Sequence, residues 1–80
     1  MHVTVRLYAT LRRFEPPGLA PGETFGLDLP AGSTIGDLEN TLRIPPEETK
    51  LAFLHHRPKE RDWVLTDGDD LAIFPPIGGG

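Results

Sequence analysis

Apolar and polar residues alternate through His2-Val3-Thr4-Val5-Arg6-Leu7-Tyr8. Val3, Val5 and Leu7 fall on one side, and His2, Thr4, Arg6 and Tyr8 on the other. A period of two predicts a half-buried strand. Thr24-Phe25-Gly26-Leu27-Asp28-Leu29 repeats the pattern, with Phe25, Leu27 and Leu29 on one face. It predicts a second strand, paired with the first across a long Pro/Gly loop, Glu15 to Glu23. Gly26 weakens that strand and marks a bulge or an edge. Leu11 and Phe14, just before the loop, are expected to fold back onto the core.

The period then changes. Ile35, Leu38 and Leu42 recur at helical spacing in "PAGSTIGDLENTLRI". Thr34 is the expected N-cap, with Asp37 near the positive end of the helix dipole. Gly36 costs about 1 kcal/mol relative to alanine, so this helix needs a sheet beneath it. It must stop near Arg43 or Ile44, because Pro45-Pro46 removes two N–H donors. "PPEET" allows one short turn with Pro46 at its first position. Leu51–His55 predicts a third strand and "HHRPKERD" a polar turn. Trp63-Val64-Leu65 predicts a short strand, and Asp67-Gly68 supplies the tight turn before a last strand, Leu71–Phe74.

The order is strand, strand, helix, strand, short strand, strand. One helix must cover one face of a mixed sheet, with the last strand beside the first at its centre. This is the α+β class in its β-grasp, or ubiquitin-like, arrangement. Eighty residues make one domain, 1–80, with residues 75–80 as an extended tail.

Composition narrows the function. The chain has no cysteine, which removes disulfides, thiolate chemistry and cysteine-ligated metals. Together with a start that is no signal peptide, this suits the cytoplasm. No run is long and apolar enough to span a membrane. A net charge of −4 argues against a nucleic-acid partner and suits a basic rim on a protein partner.

The interior carries no catalytic constellation. His55 and His56 are adjacent, so on a strand they point to opposite faces and do not share a metal. "TDGDD" lacks the spaced ligands of a calcium loop. Ser33 and Thr34 have no base placed beside them, and capping explains both. No phosphate-binding glycine loop is present.

The tail differs. Phe74 leaves a strand on the side away from Leu71 and Ile73. Pro75-Pro76 stiffens an extended exit, Ile77 is an apolar anchor, and Gly78-Gly79-Gly80 carries no side chain. Extended at about 3.3 Å per residue, positions 77–80 reach roughly 13 Å, and the three glycines fit a channel too narrow for any Cβ. The α-carboxylate enters first. A carboxylate is an oxygen nucleophile toward the α-phosphorus of ATP, and the acyl-adenylate it forms is an activated acyl group.

"DGDDLAIFPPIGGG" resembles the C-terminal signature of the small subunit of molybdopterin synthase and related ubiquitin-like sulfur carriers. "VRLYATLRR" is similar to that family's opening strand, and "LPAGSTIGDLENTL" to its strand-to-helix junction. The resemblance spans the chain, and its C-terminal block is the specific part. Three features depart from the pattern: His55-His56 where an Asn-led turn is common, the Glu15–Glu23 loop, and the additional Gly78.

The resemblance implies a protein cosubstrate rather than a conventional enzyme. An E1-like enzyme would adenylate the Gly80 carboxylate with its own ATP and magnesium, the carrier itself binding no cofactor or metal. A sulfur donor would then convert the carboxylate to a thiocarboxylate. Transfer to a molybdenum- or tungsten-cofactor precursor would occur on a larger catalytic subunit. Phe-Pro-Pro favours this branch over the thiamine branch. A ubiquitin-like protein modifier, or a carrier for thiamine synthesis or tRNA thiolation, shares the first chemical step. Tyr8, Phe74, Pro75, Pro76 and Ile77 are the expected partner-binding residues, with Tyr8 and Phe74 facing outward as an aromatic patch.

Overall fold

The computed structural model describes residues 1–20, 22–49 and 51–76. Five strands form one mixed sheet: β1 His2–Leu7, β2 Phe25–Asp28, β3 Leu51–Leu54, β4 Arg57–Lys59 and β5 Asp70–Phe74. Their order is β2-β1-β5-β3-β4. The central pair β1–β5 is parallel, with Val5 opposite Leu71 and Leu7 opposite Ile73. The other pairings are antiparallel. The helix α1, Ile35–Thr41, and short 3₁₀ segments at Ala9–Phe14 and Pro46–Glu48 complete the fold. Among the described residues no helix is long and apolar enough to cross a membrane.

Strand alternation builds the core. Val3, Val5, Leu7, Ala52, Leu54, Leu71 and Ile73 turn to the face that α1 covers with Ile35 and Leu38. Leu11, Ile44 and Leu65 close its margins, and Phe14 packs against it as expected. Removing this apolar surface from water supplies the main stabilising term.

The helix is short, so its ends matter. Thr34 Oγ1 accepts from the Asp37 N–H at 3.1 Å, and Asp37 Oδ2 accepts from the Thr34 N–H at 2.9 Å, a reciprocal capping box. At the other end Ile44 N–H donates to Glu39 O and Arg43 N–H to Asn40 O, with Arg43 at φ 63°. That is a Schellman stop with arginine in the left-handed position usually held by glycine.

Gly26 lies on the edge strand β2, opposite Thr4 in regular register, so it marks an edge and not a bulge. A Cβ there would come within 2.5 Å of the His2 ring, which lies across it.

Two expectations need correction. The short strand is not Trp63-Val64-Leu65. It is Arg57–Lys59, which forms a hairpin with β3 through His55 and His56. Those histidines are therefore not strand residues on opposite faces. Both have positive φ, 51° and 71°, and they form the two central residues of the turn. Such tight hairpin turns require this backbone, and histidine tolerates it better than most residues. Pro58 does not block the strand. The closing pair of a two-residue hairpin, here Leu54–Arg57, exchanges hydrogen bonds. Pro58 takes the next, unbonded position on an edge.

Trp63-Val64-Leu65 instead straps the entrance of α1. The Ile35 N–H donates to Trp63 O at 3.0 Å, and the Gly36 N–H to Arg61 O at 2.8 Å. Both donors lack partners within the helix. Only Leu65 enters the core, while Trp63 and Val64 stay 44% and 53% exposed.

Candidate functional site

Among the described residues, no element covers the sheet face opposite α1. Its residues are the other half of each alternation: Arg6 and Tyr8 from the β1 side, Asp70, Ala72 and Phe74 from β5, and Phe53 from β3. Register then decides which of them meet. Tyr8 continues the parallel pairing one residue past β1, its N–H donating to Ile73 O at 3.2 Å. This sets Tyr8 beside Phe74, and their rings stack with centroids 4.3 Å apart and planes 7° from parallel. Phe53 meets Phe74 edge-on at 5.5 Å and 90°. Stacked and edge-to-face contacts are the arrangements that ring quadrupoles favour.

The chain leaves the sheet from this cluster. Pro75 follows Phe74 directly and is half-buried, and Pro76 is exposed. Of the expected site residues, Tyr8, Phe74, Pro75 and Pro76 are thus brought together at one end of the open face. Ile77, Gly78, Gly79 and Gly80 lie outside the described residues.

Phe53 was not among the expected site residues. Its signal was present, since it alternates against Ala52 and Leu54. Its contact with Phe74, however, requires knowing that β3 adjoins β5 with Phe53 opposite Ala72.

Beside the rings the face dips into a groove of about 350 Å³. Ala72 sits directly between Arg6 and Phe53. His55, His56 and Asp70 line the groove with the rings. His55 Nε2 lies 3.3 Å from Asp69 Oδ1. The Tyr8 hydroxyl, and then Asp70, hold the Arg6 pKa above its ordinary value, so Arg6 is a permanent cation.

The other polar motifs have structural roles. Ser33 Oγ donates to Pro30 O at 2.7 Å, and Thr34 caps α1. In the Asp67–Gly68 turn, Gly68 has φ 88°, and Asp69 accepts from the Thr66 N–H and hydroxyl. Asp67 Oδ1 accepts from the His2 N–H, which ties the starts of β1 and β5 together. His2 pairs with Asp28 on the far edge, away from the other histidines. A larger open hollow of about 810 Å³ lies beside β4, lined by Glu39, Lys59 and Arg61 among others. Its buried carboxylate is already taken, because Arg61 Nε donates to Glu39 Oε1 at 2.8 Å. Tyr8, Phe74, Pro75 and Pro76, the expected site residues within the described range, do not line it.

No family model matches the chain. Solved structures do. Small archaeal modifier protein 1 from Haloferax volcanii is similar over 100% of both chains, at 20% identity and a TM-score of 0.69. This chain has the ubiquitin-like β-grasp fold. A protein assigned as molybdopterin converting factor subunit 1 from Pyrococcus furiosus shares the β-grasp fold at 21% identity and a TM-score of 0.68, over 95% of this chain and 98% of that one. Another β-grasp neighbour comes from a complex of subunits 1 and 2 of the molybdopterin-converting factor of Helicobacter pylori. It matches at 20% identity and a TM-score of 0.60 over 100% of both chains. The β-grasp arrangement expected from element order is therefore the fold observed, with β5 central beside β1.

Proposed function

We propose that this β-grasp protein is a sulfur carrier of the molybdopterin-synthase small-subunit type. The observation that carries the reading is the Tyr8–Phe74 stack on the uncovered sheet face, at the point where Pro75-Pro76 leads toward the glycines. An aromatic anchor at the base of a side-chain-free arm suits a partner that grips the body and takes the arm into its active site.

The chemistry belongs to Gly80 and to the activating enzyme. A Gly80 carboxylate oxygen attacks the α-phosphorus of ATP, pyrophosphate leaves, and an acyl-adenylate forms. Hydrosulfide from the sulfur donor then attacks the acyl carbon, and AMP leaves with its electron pair. The product is a thiocarboxylate, and a larger catalytic subunit passes its sulfur to a cofactor precursor. ATP and magnesium act in the activating partner. The absence of cysteine leaves the C-terminus as the place for sulfur to ride. Pyrophosphate exchange with the E1-like enzyme of the same organism tests the first step. It should require Gly79-Gly80, and exchange that persists without them rules the reading out.

A second reading has its own support. One fold neighbour is a small archaeal modifier protein. A modifier would use the same adenylate but pass Gly80 to a lysine amine. Isopeptide-linked conjugates ending in Gly80 would distinguish it.

A further inference from the structure

We propose that the groove over Ala72 receives an aliphatic side chain of the docking partner together with a neighbouring carboxylate, which pairs with Arg6. The inference rests on the open aromatic face being the docking surface, and it names what that surface recognises.

The shape comes from one small residue. Ala72 is in the central strand, and its direct neighbours across the ladders are Arg6 on β1 and Phe53 on β3. A methyl between two long side chains leaves a hollow. Tyr8 and Phe74 bound it with their rings, and His55, His56 and Asp70 complete its lining. The floor and much of the wall are apolar, which suits an aliphatic side chain.

The charge comes from an under-satisfied cation. Among the described residues the Arg6 side chain makes one long contact, Nη1 to the Tyr8 hydroxyl at 3.5 Å, and its buried Nε has no hydrogen-bond partner. A guanidinium carries five N–H donors. Of the nearby acids, Asp69 is occupied, and Asp70 lines the same groove and acts on Arg6 through its charge without a hydrogen bond to it. Asp69 accepts from Thr66 and meets His55, and Asp70, in register with Thr4, leaves the Arg6 N–H donors without a carboxylate hydrogen bond among the described residues. An incoming carboxylate would give the guanidinium the charge-assisted bonds that the described residues of its own chain do not supply. The two ring histidines on the same rim add no negative charge. The local preference is thus for an acidic group, although the whole chain at −4 attracts a basic surface at longer range.

The test is calorimetric binding to the subunit-2-type protein of the same organism, at low and moderate salt. R6E should weaken binding at least about tenfold and flatten its salt dependence. R6K should fall between, because lysine keeps the charge but not the planar fork. A72L should fill the groove and weaken binding about as much as R6E. Thermal unfolding of each variant separates lost docking from lost fold. Reversing one partner Asp or Glu to Lys should restore R6E, a rescue that misfolding would not allow. If R6E and A72L bind like the wild type while F74A does not, the docking face stands and the groove assignment is overturned. If F74A also binds normally, or the wild type forms no complex, the docking face fails and this inference fails with it.

Discussion

Tyr8 and Phe74 lie ring on ring, 4.3 Å between centroids, although 66 positions separate them in the chain. Parallel pairing of β1 with β5 makes that contact, and both rings face away from the helix. Neither ring is needed to fill the core, which Leu7 and Ile73 fill from the other side of the same strands. Loss of either ring should therefore affect docking more than folding. Y8A and F74A should each lower stability by about 1–2 kcal/mol, a shift of roughly 4–16 °C for a domain of this size. Partner affinity should drop by about tenfold or more. Y8F, which keeps the ring, should bind nearly as well as the wild type. Thermal melts paired with binding isotherms check both halves.

The His55–His56 turn predicts a gain. Both residues hold positive φ, where a Cβ is unfavourable and Asn-Gly is preferred. Replacing the pair by Asn-Gly should raise unfolding free energy by about 1 kcal/mol in urea titrations. An unchanged midpoint would mean that contacts of the histidines, such as His55 with Asp69, compensate for the backbone.

Arg43 makes the same argument at a helix end. It holds φ 63° while its N–H and that of Ile44 close the Schellman stop. R43G should stabilise by about 0.5–1 kcal/mol, since glycine takes this conformation freely. Denaturant melts with an unchanged m-value would place the effect in the folded helix end.

Glu39 gives a pH signature. This α1 residue is buried, and desolvation raises its carboxyl pKa from 4.5, only partly opposed by Arg61. An acid whose folded-state pKa is raised binds more protons folded than unfolded. Stability from this group is therefore greatest at low pH and is lost as pH rises from about 4.5 through the folded-state pKa. E39Q should remove that slope and be neutral to stabilising near pH 7. R61A should cost about 1–3 kcal/mol at pH 7, because it strands a buried carboxylate. Stability-versus-pH curves of the three proteins test the sign directly.

The sequence carried the elements whose rules are local. Alternation found β1 and β2, short apolar runs found β3 and β5, and Thr34 with Asp37 marked the helix start. Tyr8 and Phe74 were legible as outward-facing because their neighbours are apolar at period two. β4 was missed because its turn is His-His, with no Asn or Gly to announce positive φ, and because Pro58 argues against a strand until its edge position is known. Trp63-Val64-Leu65 looked like a strand because it is apolar, yet its hydrogen bonds go to the helix entrance. Phe53 joined the site only through β3–β5 register, which no local pattern encodes.

Sulfur at Gly80 is the most direct measure of the whole account. The carrier would be purified from cells that hold its activating enzyme and sulfur donor, labelled with a thiol-specific reagent, and weighed intact beside the same protein lacking Gly79-Gly80. The account predicts one sulfur in place of one oxygen and a single label at Gly80, both missing from the truncated protein. A Gly80 that stays an ordinary carboxylate with the full activating system present, or a label that survives the truncation, would contradict it.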